Sequence, residues 1–408
     1  MPIITSWLDN DLYNFHQGDF FFHRHEEAVG VYAYKCRSKG ANVAALKDRL
    51  LEELEHMYRL RLNPAEAAGL LEVSLCSKGY VDEISSGPVL ERDDVTVGIE
   101  TSGELTVRYR GPIHKRILVE TPLLALMSQL YFEATMSASE RRRAHEAGKA
   151  WIEEQANYLL AYAPDGFKFT EGGTRRRFSK EHQEVVLATL KSKCPQFLAA
   201  TSNVYYGLKL GIKVVGTMAH QLQMYYQTVV PLEDSIIKPL EDWDHHFKGR
   251  LGTALTDTLG DRKWDFDFTR YLMAMYPVER HDSGCPFRWG ERRLRALARE
   301  EVPVEGRALL FSDSLDLDKA MDLWRHFSGR IGVSIMIGTY LVNTIPVPGH
   351  KPLSQVIKLM WAAPSLGVRL RPVVKLSADV EKSQSECESL TAHAVWVAES
   401  CPELEEAA

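Results

Sequence analysis

Cysteine is scarce in this sequence: there are six among 408 residues, and no two are spaced as Cys-x-x-Cys. The scarcity argues against a disulfide scaffold or a zinc site, and it predicts reduced thiols in a cytoplasmic protein. No stretch of about 18 uncharged apolar residues occurs, so no transmembrane helix is predicted. The first six residues also lack the basic and apolar regions of a secretory signal.

An excess of charge of one sign is missing too: 49 Lys and Arg residues face 55 Asp and Glu residues, for a net charge of −6. This balance predicts neither a nucleic-acid nor a membrane partner. Hydrophobic residues make up 45% of the chain and charged residues 25%, which is usual for a soluble globular protein and excludes a disordered one. The length suits two or three domains, although no Gly-Ser-rich or Pro-rich linker marks a boundary.

Three common catalytic motifs are absent. No G-x-G-x-x-G opens a βαβ unit, and neither G-x-x-x-x-G-K-[ST] nor H-E-x-x-H occurs. A Rossmann dehydrogenase, a P-loop kinase and a zinc protease therefore each lack their main sequence signal.

Between about residues 165 and 380, the sequence contains a series of short apolar segments. Each ends in small or polar residues, and a helical pattern often follows. Such alternation predicts parallel βα units. Seven units favour an irregular (β/α) barrel with its active site at the carboxyl ends of the strands. We expect the barrel over residues 126–344 and an α+β domain over residues 1–125, joined by the C-terminal segment 345–408. The predicted strands are 167–170, 197–200, 212–215, 253–255, 276–278, 308–311 and 332–337.

The first candidate site is the strand-to-helix turn Gly173-Thr174-Arg175-Arg176-Arg177. Glycine lets an anion approach the backbone, and arginine binds carboxylate or phosphate with paired hydrogen bonds. Successive helical residues point in different directions, so one ligand cannot use all three arginines. The alternative is a basic helix start that pairs with surface acids.

The second candidate is His220, which follows a predicted strand and the pair Gly216-Thr217 and opens a predicted helix. A helix start offers free N–H groups to an anion. A neutral imidazole there can act as a nucleophile toward a phosphoryl group. The alternative is a structural histidine.

The third candidate, Arg280-His281-Asp282-Ser283-Gly284, places a cation, an imidazole, a carboxylate and a hydroxyl side by side. Buried charges need partners, so this density indicates a ligand. Asp282 could hold sugar hydroxyls and Arg280 a phosphate. The alternative is a salt-bridged loop.

Two late strand ends, at Ser312-Asp313 and at Gly338-Thr339, suit a phosphate site of the kind that barrels carry there. Asp316 could instead be only a helix N-cap. Near the N-terminus, Tyr13 offers a face on which a planar ring could stack, or it is an ordinary packed aromatic. Together these residues indicate a site for several anions and a reaction of the phosphoryl or phosphoribosyl transfer class.

Seven short runs of sequence, in this order, resemble the nicotinate phosphoribosyltransferase family, in particular its bacterial enzymes. The resemblance extends from Asp9 to about Ser377 and is most specific after Gly173. The runs are GTRRRFS (173–179), TSN (201–203), GTMAH (216–220), ALTDT (254–258), RHDSG (280–284), FSDSLDLDKA (311–320) and PVVKLS (372–377).

The resemblance implies a type II phosphoribosyltransferase fold and a dimeric enzyme of NAD biosynthesis and salvage, both ligase and glycosyltransferase. Such an enzyme forms nicotinate mononucleotide and pyrophosphate from nicotinate and phosphoribosyl pyrophosphate, with Mg²⁺. It couples this reaction to ATP hydrolysis through a phosphohistidine.

By resemblance, His220 matches the phosphorylated histidine, Tyr13 the aromatic that stacks on the pyridine ring, and Arg175 a residue near the nicotinate carboxylate. Arg280 and Asp282 match diphosphate and ribose contacts. The remaining expected substrate-binding residues are Thr174, Ser202, Ser283 and Asp313, which lie in the same runs, and the pair Gly338 and Thr339.

Three positions depart from the family pattern: Cys285 replaces Asp or Asn, Gln221 replaces Glu or Ser, and Asn14 replaces a basic residue. Cys285 puts a polar contact near the ribose phosphate in doubt and could make the enzyme sensitive to thiol reagents. Use of nicotinamide or quinolinate, a catalytically inactive relative, and a barrel enzyme for another sugar phosphate stay open as alternatives.

Overall fold

Two β-sheets organise the chain, one antiparallel and one parallel. The computed structural model describes residues 2–216, 218–377, 383 and 385–403. Their strands are β1 (Val29–Cys36), β2 (Val95–Ile99), β3 (Leu105–Pro112), β4 (Phe169–Glu171), β5 (Leu198–Thr201), β6 (Thr253–Leu255), β7 (Val278–His281), β8 (Ala308–Phe311), β9 (Gly332–Ile337), β10 (Gln355–Ala363) and β11 (Arg371–Pro372).

Helices cover and connect the sheets. They are α1 (Leu12–Arg24), α2 (Lys47–Met57), α3 (Pro64–Val73), α4 (Lys78–Ser86), α5 (Ile113–Arg116), α6 (Glu120–Thr135), α7 (Ala138–Tyr162), α8 (Lys180–Lys193), α9 (Val204–Leu210), α10 (Gln221–Tyr226), α11 (Ile237–Phe247), α12 (Gly260–Asp267), α13 (Arg270–Met275), α14 (Pro286–Arg299), α15 (Leu317–Phe327), α16 (Thr339–Asn343) and α17 (Glu388–Ser400). None of those in the described part of the chain is both long and apolar enough to cross a membrane.

The antiparallel sheet has the strand order β11-β10-β1-β3-β2. Its strand β1 alternates more and less buried residues, the pattern of a sheet with one face on the core. Strands β10 and β11 come from the C-terminal part of the chain, and β10 pairs with β1 along the whole length of β1. The domain limits at 125 and 345 stay a prediction.

The second sheet has the order β5-β4-β9-β8-β7-β6, and all its strands are parallel. The predicted α/β class, with a parallel sheet and an N-terminal domain, is therefore confirmed. Closure into a barrel is not: the pairings among the described residues leave β5 and β6 at the two ends of the sheet. Beyond β5, the described residues add only a single bridge, between Thr201 and Val214.

Two predicted strands were placed wrongly. Residues 212–215 form no strand apart from the Val214 bridge, because Gly216 is pressed against the backbone of Tyr13; a β-carbon at 216 would lie 2.5 Å from the Tyr13 nitrogen. The strand predicted at 276–278 starts only at Val278, since Tyr276 still caps α13. Arg280 and His281 consequently lie in β7 itself.

The helical segment from Glu120 to Tyr162 is interrupted once. It divides into α6 and α7, because Ser137 caps α7 and forms a capping box with Glu140. Beneath the parallel sheet's carboxyl edge lies a small apolar cluster that is separate from the main core and consists of Phe132, Ala144, Phe178 and Ile345.

Candidate functional site

A cavity of about 300 Å³ opens at the carboxyl ends of β4, β7, β8 and β9, and strand β10 of the antiparallel sheet forms its opposite wall. Six cationic side chains line it: Arg37, Arg175, Arg176, Arg280, Lys358 and Lys375. Asp282 and Asp313 also line the cavity. This composition suits a ligand that carries several negative charges.

His220 lies beside this cavity and is only 4% exposed. Its Nδ1 atom is 2.9 Å from the Thr258 hydroxyl, and its Nε2 atom is 2.9 Å from the Lys375 ammonium. Nε2 also lies 3.1 Å from an Asp282 oxygen and 3.4 Å from Asp257. A cation and two carboxylates thus converge on one ring nitrogen.

The hydrogen bonds around Thr258 define which ring nitrogen carries the proton. The Thr258 hydroxyl donates to Gln223 Oε1, so it can only accept at His220. Nδ1 is therefore the protonated nitrogen of the neutral ring. The Nε2 atom has a lone pair, which accepts a hydrogen bond from the Lys375 ammonium. Burial, and then Lys375, lower the pKa of His220 to about 4, although Asp257 and Asp282 act in the opposite direction. The imidazole is consequently neutral and nucleophilic at pH 7.

Asp257 and Asp282 form an acidic pair around the same nitrogen. Burial opposes ionisation of Asp282, but the Arg280 guanidinium, with a contribution from Lys375, holds its pKa well below the usual range. Lys375 lies 3.1 Å from Asp257 and 3.8 Å from Asp282, and it lowers the pKa of Asp257 despite burial. Both carboxyl groups are therefore ionised.

A divalent cation fits this acidic pair. Oxygen atoms of Asp257 and Asp282 and a nitrogen of His220 lie within 4.8 Å of one another. The buried Oδ1 atom of Asp257 accepts no hydrogen bond from the described residues. Mg²⁺ prefers carboxylate oxygens together with substrate phosphates, so the two aspartates are its best ligands here.

The three arginines of the 173–177 turn have three different environments, as successive residues should. Arg177 is fully buried and donates twice to Asp9, at 2.7 Å each, so it supports the turn and faces no ligand. Arg176 lines the cavity, where burial and the neighbouring cations Arg175 and Arg37 lower its pKa to about 10.

Arg175 lines the cavity close to Tyr13. Its guanidinium lies over the Tyr13 ring, 5.8 Å from the ring centre. Asp11 holds the Arg175 Nε atom at 3.5 Å and Glu120 holds Nη1 at 3.1 Å. Tyr13 itself is 5% exposed, and its hydroxyl has no hydrogen-bond partner among the described residues. The structure therefore brings these two predicted residues together.

Three predicted substrate-binding hydroxyls lie behind the cavity wall. Thr174 is fully buried and accepts hydrogen bonds from Gln183 and Asn203. Ser202 donates to Asp11 and Ser283 donates to Asp257. Each hydroxyl thus has a protein partner, and none of the three is among the residues that line the cavity.

The other predicted residues surround the cavity. Arg280 donates to the Ser312 hydroxyl at 2.8 Å and to Asp282 at 3.0 Å, which directs its guanidinium along the carboxyl ends of β7 and β8. Asp313, Gly338 and Thr339 line the same cavity. Thr217, in the turn predicted before His220, lies outside the described residues.

Comparison with known proteins gives one consistent family. The N-terminal domain of the nicotinate phosphoribosyltransferase (NAPRTase) family matches residues 8–128, and the NAPRTase family sequence pattern itself matches residues 167–398. The chain belongs to the nicotinate phosphoribosyltransferase family. The function that this membership supports is nicotinate phosphoribosyl transfer, in NAD biosynthesis.

Individual nicotinate phosphoribosyltransferases resemble the chain over nearly its whole length. The one from Bordetella pertussis is 35% identical over 383 residues, which are 93% of this chain and 91% of that protein. The crystal structure from Porphyromonas gingivalis has a TM-score of 0.88 and 28% identity, and it covers 97% of this chain and 100% of its own. The structure from Vibrio cholerae has a TM-score of 0.87 and 30% identity, with coverages of 99% and 95%.

Sequence reasoning assigned no role to several groups at this nicotinate phosphoribosyltransferase site. Asp257 and Lys375 lie within the quoted runs ALTDT and PVVKLS, so a signal existed for both. Lys358, in β10, lies in no quoted run. It lines the cavity without a hydrogen bond or ion pair to the described residues, and burial lowers its pKa to about 8.

Proposed function

We propose that this chain is an ATP-coupled nicotinate phosphoribosyltransferase that uses His220 as a transient phosphoryl acceptor. The observation that carries the proposal is the environment of His220 Nε2, the unprotonated nitrogen of a neutral ring, whose lone pair faces the Lys375 ammonium beside a cavity lined by cations. ATP and phosphoribosyl pyrophosphate are both polyanions, and nicotinate is an anion, so all three suit this cavity.

In the phosphoryl step, the Nε2 lone pair attacks the γ-phosphorus of ATP. The Nε2–P bond forms, the bond from phosphorus to the bridging oxygen breaks, and ADP leaves. Lys375 covers Nε2 in the free chain. When a polyanion binds, one of its phosphate oxygens can accept the hydrogen bond from the Lys375 ammonium in place of Nε2. The Nε2 lone pair is available for attack only then. Hydrolysis of the phosphohistidine then releases phosphate.

In the transfer step, the nicotinate ring nitrogen attacks C1 of the ribose while the bond to the diphosphate oxygen breaks. Tyr13 and Arg175 are placed to hold the ring and its carboxylate, and Arg280 to neutralise the leaving diphosphate. Asp313 and the Gly338-Thr339 turn are placed for the ribose phosphate. Asp257 and Asp282 would hold Mg²⁺, which neutralises negative charge on the diphosphate when it is bound.

A product assay tests the function. Phosphoribosyl pyrophosphate is combined with nicotinate, nicotinamide or quinolinate, each with and without ATP, and each with Mg²⁺ or with a chelator. We expect nicotinate, and neither of the other two rings, to give a mononucleotide product. Its formation should be faster with ATP and should be abolished by the chelator. Equal turnover of another ring would contradict the assignment of nicotinate.

The phosphohistidine is tested with His220→Asn and a matched control, His393→Asn, in which the replaced histidine is exposed on α17. His220→Asn should lose acid-labile labelling by γ-phosphate-labelled ATP and lose the stimulation by ATP, while it keeps some ATP-independent transfer. Full ATP stimulation in this variant would eliminate His220 as the acceptor.

We further propose a cytoplasmic homodimer, since the sparse cysteines indicate reduced thiols and the resemblance of the sequence to the family implies a dimer. Light scattering on the purified chain measures the mass of the assembly directly. A mass near the 46.2 kDa of one chain would refute the dimer.

A further inference from the structure

Two turns line the cavity from neighbouring strand ends, and their backbones are in direct contact. One is the arginine turn, residues 172–177, and the other is the glycine-threonine turn, residues 338–339. Gly172 N–H donates to the Ile337 carbonyl at 2.9 Å, and Phe178 N–H donates to the Val342 carbonyl at 3.1 Å. A β-carbon at position 173 would lie 2.8 Å from the Gly338 oxygen. Glycine is therefore required for this close approach.

Asn343, the last residue of α16, connects the two turns with its side chain. It is fully buried, and its Nδ2 atom donates to the Arg176 carbonyl at 2.6 Å. That carbonyl belongs to the arginine turn, whereas α16 begins at Thr339 in the glycine-threonine turn. The buried side-chain amide of Asn343 thus links the backbone of the arginine turn to the helix that starts in the glycine-threonine turn.

His350 determines the orientation of this amide. Its Nε2 atom lies 2.8 Å from Asn343 Oδ1 and 3.2 Å from the Asn343 carbonyl. Both partners are acceptors, so Nε2 carries a proton and donates to them. Because Oδ1 accepts from His350, Nδ2 must point toward Arg176.

The His350 ring is itself fixed by the small apolar cluster. It stacks on Phe132 with ring centres 4.8 Å apart and contacts the edge of Phe178 at 5.7 Å. Phe178 directly follows the arginine turn. The imidazole, and through it the amide, are consequently packed against the small cluster that adjoins the arginine turn.

We propose that Asn343, oriented by His350, is a positioning residue that sets the spacing between the arginine turn and the glycine-threonine turn. The inference rests on the proposed function, in which the first turn serves the nicotinate carboxylate through Arg175 and the second serves the ribose phosphate of phosphoribosyl pyrophosphate. The two substrates therefore bind on different turns, so the spacing between the turns determines how well both bind together.

The test compares Asn343→Ala with Ser235→Ala. Ser235 is also fully buried and also donates to a backbone carbonyl, that of Leu232 at 2.7 Å, but that carbonyl belongs to neither turn. Asn343→Ala should raise the KM values for phosphoribosyl pyrophosphate and for nicotinate about tenfold, with kcat per active site changed less than about threefold. Ser235→Ala should lower thermal stability and leave both KM values unchanged.

His350→Phe keeps the ring stack on Phe132 but removes the Nε2 donor, and it replaces Asn343→Ala if that variant does not fold. It should raise both KM values in the same direction by a smaller factor. KM values no higher than those of Ser235→Ala, or a loss confined to kcat, would overturn the proposal. Absence of product from the wild-type chain would instead refute the proposed function, and this inference with it.

Discussion

Replacement of His182 by leucine should reduce the loss of unfolding free energy that occurs when the pH is lowered into the acid range. His182 lies on α8 and is fully buried, and neither ring nitrogen has a hydrogen-bond partner among the described residues. Its ring contacts the rings of Phe178 and His145 at 5.8 and 5.5 Å. Burial, with smaller contributions from His145 and His350, lowers the pKa of His182 from 6.5 to about 3.

The direction of the effect follows from proton linkage. Between pH 6.5 and 3 the unfolded chain binds a proton at His182 and the folded chain does not, so stability falls as the pH falls. At pH 5 this single group costs about 2 kcal/mol relative to pH 8, at about 1.4 kcal/mol for each pH unit below 6.5. The cost at pH 5 is nearly the same for any folded pKa below 4, because the folded form is then neutral.

The assay is urea unfolding at pH 8 and at pH 5, for the wild-type chain, His182→Leu and the exposed-surface control His393→Asn. The loss of unfolding free energy between the two pH values should be about 2 kcal/mol smaller in His182→Leu than in the wild type. The control should match the wild type. An equal loss in His182→Leu and the wild type would show that His182 does not hold its neutral form in the folded state.

Two further predictions concern the cavity. Arg175→Ala should raise the KM for nicotinate about ten- to a hundredfold more than it raises the inhibition constant of a neutral pyridine, because a hydrogen bond to a charged group is worth about 1.5–3 kcal/mol. Equal effects on the two constants would show that Arg175 does not recognise the carboxylate. Backbone N–H groups at Arg288 and Phe287 lower the pKa of the partly exposed Cys285 thiol. Iodoacetamide should therefore inactivate the wild type and a Cys387→Ser control but spare Cys285→Asp, and equal inactivation of all three would refute a role for Cys285.

Short, mainly apolar strands were predictable from the sequence. The limits expected for Thr253–Leu255, Ala308–Phe311 and Gly332–Ile337 agree with the structure. Each is followed by small or polar residues, so the sequence pattern also indicates where the strand ends. The segment at 212–215 has the same local pattern, but its path is determined by the contact of Gly216 with α1, which no local pattern contains.

The site residues divide in the same way. Arg280 and Asp282 lie at the carboxyl end of β7, and the topology of a parallel sheet brings such positions to one edge, whereas His220 follows a segment that joins the sheet only at the Val214 bridge. Thr174 and Ser202 belong to the same runs, yet their hydroxyls are bonded to Asn203 and Asp11 behind the wall. Sequence position identifies the turn, whereas the direction of each side chain depends on partners elsewhere in the chain.

Lys375 shows why the electrostatics of the site required the structure. It is 155 positions from His220 in the chain, yet the two side chains are 2.9 Å apart. Removing one partner from a buried group of ions costs several kcal/mol, because the remaining charges lose their compensation. Asp257 stays ionised beside the neutral imidazole chiefly because of Lys375, whereas Asp282 stays ionised chiefly because of Arg280. The nucleophilic state of His220 is thus a property of four residues from four separate segments, and no single motif contains it.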